Sequence, residues 1–166
     1  MNISLQAIAV GSAAPDFTLI DDTGVPWQLS KHQGQIVVLY FYPADDTPGC
    51  TKQACSLRDS YSEFAQLGAR VVGINYNDTK SHQAFKEKYH LPFTLLSDSK
   101  KSVAHLYQAD PWWSYWFWSM PKRKTVIIDK KGVVRSILNN VDVTTHTNTV
   151  LQALHKALEP ISSKNS

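Results

Sequence analysis

The sequence predicts an α/β fold in which buried strands alternate with amphipathic helices. Residues 35–42 (QIVVLYFY) and 69–76 (ARVVGINY) are continuous apolar runs rich in β-branched and aromatic residues, which is typical of strands buried on both faces. Between them, apolar residues at spacings of three and four predict a helix that stops at Gly68: Ala54, Leu57, Tyr61, Phe64 and Leu67. A helix that joins two strands makes them parallel, in a right-handed βαβ unit.

The other elements follow in chain order. Residues 16–30 predict two short strands around an Asp-Thr-Gly turn, and Pro43 ends the first buried strand. Further on we predict a helix over 81–90, a strand over 93–98, a short helix over 102–108, a hairpin with a Lys-Lys-Gly turn over 124–138 and a helix over 145–158. The polar residues 159–166 are expected to fray. We expect one domain over residues 1–166, with its core at 10–158.

Length and charge narrow the classes of function. A chain of 166 residues buries roughly 70% of its unfolded surface, so it needs no disulfide to hold a fold. The net charge is +3 and the basic residues are scattered, which argues against nucleic-acid binding. The first residues lack the basic segment of a secretory signal, and no window reaches the ~18 apolar residues of a membrane span. We therefore expect a cytoplasmic location.

Both cysteines of the chain lie in residues 42–61, YPADDTPGCTKQACSLRDSY. Pro48 disfavours a helical conformation at Thr47 and suits the first position of a helix. Thr47 is then the N-cap and Cys50 the third helical residue. The free N–H groups and the positive end of the helix dipole favour the thiolate of Cys50 over the thiol. The sequence therefore predicts a nucleophilic Cys50.

The spacing of Cys50 and Cys55 bears on what the pair does. On an unbroken helix, residues five apart have Cα atoms roughly 8–9 Å apart, and a disulfide needs less than about 7 Å. The first turn would have to unwind before the two could bond, which suits a redox cycle better than a static crosslink. Two inert cysteines remain an alternative. A zinc site is disfavoured because it needs four ligands. A thioredoxin-type dithiol is disfavoured because it needs the spacing Cys-x-x-Cys.

The segment FYPADDTPGCTKQACSLRDSY closely resembles the active-site segment of peroxiredoxins of the bacterioferritin comigratory protein type, also called peroxiredoxin Q, an atypical 2-Cys group. The general pattern Pro-x-x-x-Thr-x-x-Cys is met by Pro43, Thr47 and Cys50. The similarity continues through 71–107 and resumes at 123–137. The resemblance implies a thioredoxin-like fold with an N-terminal β-hairpin and a central mixed sheet flanked by helices.

The resemblance also implies roles for site residues. Cys50 would be the peroxidatic cysteine, whose thiolate attacks the peroxide O–O bond and becomes a sulfenic acid. Thr47 would hydrogen-bond the thiolate and the peroxide, and Pro43 would shield the pocket from water. Arg123, six residues before the Asp that ends its strand, would hold the thiolate and stabilise the departing oxygen. The backbone N–H groups of Gly49 and Cys50 could add to that stabilisation.

Cys55 would be the resolving cysteine, which forms an intramolecular disulfide with Cys50 that a thioredoxin-like partner reduces. The implied substrates are hydrogen peroxide and organic hydroperoxides, with no metal and no organic cofactor. An intramolecular bond needs no second subunit, so we expect a monomer. Two rivals remain: a thiol–disulfide oxidoreductase, and a redox-sensing binding module that docks through an aromatic run.

That aromatic run does not align with the family: Trp112, Trp113, Tyr115, Trp116, Phe117 and Trp118. It could pack over the sheet, form a protein contact, or dock at a membrane with help from Lys122, Arg123 and Lys124. It could also favour bulky hydroperoxides.

Two further expectations concern the cysteine segment: Gln53 stands where relatives often carry Glu, and the acidic residues 45 and 46 are interpreted as solvated loop residues.

Overall fold

The structure, a computed structural model, describes residues 7–110 and 119–160. The strands are β1 Thr18–Asp21, β2 Pro26–Gln28, β3 Ile36–Phe41, β4 Ala69–Asn75, β5 Thr94–Ser97, β6 Lys124–Ile128 and β7 Val134–Asn139. The helices are α1 Pro48–Asp59, α2 Tyr61–Gln66, α3 Thr79–Tyr89, α4 Ser102–Leu106 and α5 His146–Leu158, with a short 3-10 turn at Leu29–His32. The predicted α/β order is therefore confirmed.

The strands form one mixed sheet in the order β2-β1-β5-β4-β3-β6-β7. β3 is parallel to β4, and β4 is parallel to β5, whereas the hairpins β1–β2 and β6–β7 are antiparallel. The predicted parallel βαβ unit and N-terminal hairpin are both present. Because β3 lies between β4 and β6, the loop after its carboxyl end is placed beside the start of β6.

The core lies on both faces of the sheet, and β3 contributes to each. Val38 and Tyr40 pack in one cluster with buried side chains of α1 and α5, such as Leu57 and Leu154. Val37, Leu39 and Phe41 point to the other face, into a second buried cluster. All six residues of β3 are buried, which explains the continuous apolar run in the sequence.

The prediction of one helix that runs to Gly68 is wrong in one respect, because the helix breaks at Ser60. Ser60 has φ −101° and ψ 11°, and its N–H still bonds to carbonyls of the preceding turn. Serine favours helix ends over helix interiors, since its side chain competes with the backbone for hydrogen bonds. A second helix, α2, then buries Phe64 completely. Gly68 ends it with φ +71°, at the predicted stop.

Two expectations lie outside the described residues: the packing of the aromatic run at 112–118 and the fraying of the last residues, 161–166. Within the described ranges, no helix combines the length and the apolar character that crossing a membrane requires. Of the three cations invoked for membrane docking, Lys124 is 6% exposed and its ammonium group reaches the Gln108 carbonyl at 3.4 Å. Burial lowers the pKa of Lys124, and the nearby charge of Lys122 lowers it further.

Candidate active site

The start of α1 has the predicted capping positions. Thr47 is extended, with φ −93° and ψ 151°, Pro48 is the first helical residue, and Cys50 is the third. The Thr47 side chain does not cap the helix; its hydroxyl donates to the Ala44 carbonyl at 3.1 Å. Since the hydroxyl hydrogen is used in the loop, the hydroxyl oxygen is available to accept a hydrogen bond. Cys50 is 1% exposed, so its thiol lies beneath the surface of the helix end.

Arg123 brings a positive charge to this thiol. It immediately precedes β6, whose first residue pairs with Phe41 at the end of β3. The guanidinium Nη2 lies 3.4 Å from Cys50 Sγ, and Nη1 donates to Gln53 Oε1 at 2.7 Å. A guanidinium is always charged and holds its donors in a fixed plane, so it stabilises a thiolate and orients it. The strand-ending Asp from which Arg123 was counted is Asp129, and the residue chosen in this way does contact Cys50.

Gly49 makes room for this contact. A Cβ at Gly49 would lie only 2.9 Å from Arg123 Nη2, closer than real side chains pack. The absence of a side chain lets the guanidinium lie directly over the first turn of α1. The predicted contribution of its backbone N–H to peroxide binding stays a prediction.

Gln53 is a site residue that the sequence reasoning noticed only as a departure from relatives. Its side chain is 1% exposed and fixes one end of the Arg123 guanidinium. The signal was available: residues 50 and 53 are three apart on a helix, so they share a face. A neutral amide orients the guanidinium without neutralising it.

Cys55 lies on the same unbroken helix and is half-buried, and both cysteines are free thiols. In an intact helix this spacing keeps the Cα atoms roughly 8–9 Å apart, beyond disulfide range. The described conformation is therefore the one in which Cys50 can react but cannot yet pair with Cys55. The roles of the two thiols stay predictions.

Two buried aromatic side chains lie beneath the site. Burial raises the pKa of Tyr40 well above its usual value, and negative charge at Asp45 or at either cysteine would raise it further. His146 bonds through Nε2 to Thr125 Oγ1 at 2.8 Å. Burial, and then the charge of Arg123, lower the pKa of His146 to about 4, so its imidazole is neutral near pH 7. Near pH 7, His146 therefore adds no positive charge to that of Arg123.

The interpretation of the two acidic loop residues is wrong for Asp45. Its side chain is 3% exposed and lies 2.7 Å from the His82 ring. Burial opposes its ionisation, but hydrogen bonds and charge from His82, with bonds from Tyr42 and Ser81, outweigh burial and hold the pKa of Asp45 below its usual value. Asp46 is exposed, as expected, and pairs with Lys88 at 2.8 Å. The sequence missed Asp45 because its partners lie far along the chain.

A mixed sheet flanked by helices, with a thiol at a helix N-terminus beside an arginine, defines a thioredoxin-like thiol protein. The AhpC/TSA family matches residues 10–137, so the chain belongs to that family. It is 51% identical over 139 residues to the chloroplastic peroxiredoxin Q of Sedum lineare, covering 84% of this chain and 73% of the relative. It is 52% identical over 133 residues to that of Oryza sativa subsp. japonica, covering 80% of this chain. The chain spans about 60% of the length of the first such relatives.

Solved structures show the same similarity to peroxiredoxins. Peroxidoxin BcpB of Mycobacterium tuberculosis is 34% identical with a TM-score of 0.82, over 92% of this chain and 99% of that one. PrxQ of Xylella fastidiosa is 26% identical with a TM-score of 0.84, over 93% of this chain and 99% of that one. The bacterioferritin comigratory protein of Xanthomonas campestris is 27% identical with a TM-score of 0.82, over 92% and 98%. The predicted thioredoxin-like fold and the resemblance to this peroxiredoxin group are both confirmed.

Proposed function

We propose that this protein is a thiol-dependent peroxidase that reduces hydroperoxides through Cys50. The observation that carries the proposal is the placement of Arg123 Nη2 3.4 Å from the Cys50 sulfur, at the start of a helix. The N-terminus of α1 and the guanidinium of Arg123 act together on the Cys50 thiol, and both favour its thiolate form. A nucleophile activated in this way suits attack on a weak O–O bond.

The first step transfers one oxygen atom to sulfur. The Cys50 thiolate attacks one oxygen of the hydroperoxide, the O–O bond breaks, and the sulfur becomes a sulfenic acid. The departing oxygen leaves with the bonding electrons and takes up a proton, giving water or an alcohol. Arg123 and the backbone N–H groups at the helix start stabilise the charge on that oxygen. The Thr47 hydroxyl oxygen accepts a hydrogen bond from the peroxide O–H, since its own hydrogen is held by Ala44. Pro43 shields the thiolate from water.

The second step forms the disulfide. The first turn of α1 unwinds, and the Cys55 sulfur attacks the sulfur of the Cys50 sulfenic acid. The S–OH bond breaks, and the Cys55 proton goes with the hydroxyl group as water. A dithiol reductant of the thioredoxin type then returns both cysteines to thiols.

The substrate class follows from the chemistry and from a relative. The bacterioferritin comigratory protein of Xanthomonas campestris reduces alkyl peroxides. We extend this to the present chain and propose hydrogen peroxide and organic hydroperoxides as substrates. Competition between hydrogen peroxide and cumene hydroperoxide for the reduced protein measures the preference directly.

Stopped-flow tryptophan fluorescence of the reduced protein mixed with hydrogen peroxide tests the proposal. We expect a fast phase and a slower one in the wild type, neither phase in Cys50→Ser, and only the first phase in Cys55→Ser. A wild type that reacts no faster than free cysteine contradicts the proposal. Slow peroxide reaction together with activity on protein disulfides would favour the rival thiol–disulfide oxidoreductase.

We also propose a monomer, because an intramolecular Cys50–Cys55 bond needs no second subunit. The location that we propose is the cytoplasm. Light scattering after size-exclusion chromatography, with reduced and oxidised protein, gives the mass in each state. A dimer in either state contradicts the monomer. Cell fractionation tests the proposed location, and recovery of the protein outside the cytoplasmic fraction contradicts it.

A further inference from the structure

The loop at residues 43–47, between β3 and α1, is held by one buried carboxylate, that of Asp45. Oδ1 of this carboxylate accepts from the Tyr42 hydroxyl at 2.6 Å and from Asn75 Nδ2 at 3.0 Å. Oδ2 accepts from the Ser81 hydroxyl at 2.8 Å and lies 2.7 Å from His82 Nδ1. The donors come from the end of β3, the end of β4 and the first turns of α3. A single side chain therefore ties the loop to three elements of the fold.

His82 makes this contact an ion pair. Its side chain is fully buried, and its second nitrogen, Nε2, lies 3.1 Å from the Leu96 carbonyl oxygen. A carbonyl can only accept a hydrogen bond, and an ionised carboxylate can only accept one. Both nitrogens of His82 therefore carry hydrogen when Asp45 is ionised. In a buried pair of this kind, removal of one partner leaves the other as an uncompensated charge.

One peptide unit connects the pair to Thr47. The carbonyl of Ala44 accepts the Thr47 hydroxyl at 3.1 Å, and the N–H on the other side of the same peptide, that of Asp45, donates to Asn77 Oδ1 at 2.8 Å. Asn77 is held in turn by Asn75, whose Nδ2 donates to the same oxygen at 3.0 Å. Because the side chain and the backbone N–H of Asp45 are both anchored, the carbonyl that orients Thr47 cannot rotate freely.

We propose that Asp45 and His82 are positioning residues for peroxide reduction, because their buried ion pair holds the loop that orients the Thr47 hydroxyl beside Cys50. This inference rests on the proposed peroxidase function. Thr47 is the residue that would contact peroxide, and the pair acts through it. Displacement of a substrate-orienting group by about 1 Å can cost on the order of a hundredfold in rate. Loss of the pair should therefore slow peroxide reduction more than it slows reactions that need no bound peroxide.

Two reactions of Cys50 separate positioning from simple stabilisation. Hydrogen peroxide must be bound and oriented, whereas iodoacetamide alkylates the thiolate without the help of Thr47. Cys50 is 1% exposed, so a variant with a loosened fold would be alkylated faster. The ratio of the two rate constants thus reports orientation, and the alkylation rate alone reports opening of the site.

Asp45→Ala and His82→Leu are the test variants, each made in the full chain. We expect the rate constant for hydrogen peroxide to fall by about 10- to 100-fold in each, with alkylation of Cys50 within about twofold of wild type. The double variant should be no slower than the slower single variant, since the two residues act as one unit. Asp45→Asn keeps an acceptor for Tyr42 and a donor for Ser81, so it should recover part of the loss.

Asp46→Asn is the matched control. It makes the same chemical change one residue further on and removes an ion pair, with Lys88, that is exposed. Asn also tolerates the left-handed backbone of Asp46, φ 54°. We expect this control to stay within about twofold of wild type in both reactions.

Each outcome has one meaning. Asp45→Ala reacting with peroxide as fast as Asp46→Asn overturns the inference, and so does a slow variant whose alkylation rises, because the pair then only stabilises the fold. If Asp45→Ala does not fold, Asp45→Asn and His82→Leu are judged by the same ratio. A wild type that itself reacts slowly with peroxide refutes the peroxidase proposal instead, which is a different result.

Discussion

Adding a methyl group at Gly49 should weaken the activation of Cys50 without harming the fold. Gly49 lies in the first turn of α1, next to Cys50, and the Arg123 guanidinium covers both residues. The Cβ of an alanine would lie 2.9 Å from Arg123 Nη2, whereas ordinary van der Waals contact begins at 3.4 Å. The guanidinium must therefore retreat by about half an ångström. We expect this displacement to lengthen the 3.4 Å contact between Nη2 and the Cys50 sulfur as well.

The size of the effect follows from the contact distance. With an effective dielectric constant of about 20, moving Nη2 from 3.4 Å to about 3.9 Å weakens its attraction to the Cys50 thiolate by about 0.6 kcal/mol, or about threefold in rate. If the charged hydrogen bond is lost as well, the cost is about 2 kcal/mol, or about thirtyfold. Alanine is a better helix former than glycine by up to about 1 kcal/mol, so stability should be unchanged or higher.

Stopped-flow measurement of the peroxide rate constant, with urea unfolding beside it, tests this prediction. We expect Gly49→Ala to be about 3- to 30-fold slower than wild type and no less stable. In an Arg123→Ala background the same substitution should have no further effect, since it acts through the guanidinium. A Gly49→Ala variant as fast as wild type, or one that slows the Arg123→Ala protein equally, would refute the reasoning.

Further predictions concern the groups around this contact. Gln53→Met removes the acceptor that holds Arg123 Nη1 and should slow peroxide reduction about tenfold; an unchanged rate constant would show that Arg123 needs no such support. The pKa of His146 is about 4 in the fold, below its unfolded value of about 6.5, so its stabilising effect is complete above pH 6.5 and is lost as the pH falls towards 4, by roughly 3 kcal/mol. Urea unfolding between those pH values should show this slope in wild type and in the control His155→Gln but not in His146→Phe, and a persisting slope would contradict it. Oxidation to the disulfide should speed amide hydrogen exchange in the first turn of α1 only; equal protection in both redox states would contradict local unwinding.

Much of the fold and the thiol site could be predicted because the signals are local. Thr47, Pro48 and Cys50 are consecutive or nearly so, and capping rules act over a few residues, so the helix start could be placed at the right residue. The continuous apolar runs marked β3 and β4, and a helix between two strands fixes them as parallel. Arg123 was found only through the family pattern, since nothing in a short basic turn indicates which cation points inward.

The features that could not be predicted from the sequence depend mostly on contacts between residues far apart in the chain. Apart from Tyr42, the donors around Asp45 lie 30 to 37 positions away in the chain, so a sequence with two adjacent aspartates cannot show which one is buried. Gln53 looked like a minor departure because its partner lies 70 positions along the chain. The break at Ser60 separates two helices whose apolar residues keep a helical spacing across the break, so the spacing alone predicts one helix.

The central claim is that Cys50 reacts with peroxide inside an intact helix and that Cys55 closes the bond afterwards. Intact mass spectrometry after one equivalent of hydrogen peroxide tests it most directly, with wild type, Cys50→Ser and Cys55→Ser treated alike. The account predicts the loss of two hydrogens in wild type, the gain of one oxygen at Cys50 in Cys55→Ser, and no rapid change in Cys50→Ser. Oxygen gained at Cys55 instead, or a disulfide between two chains in wild type, would contradict it.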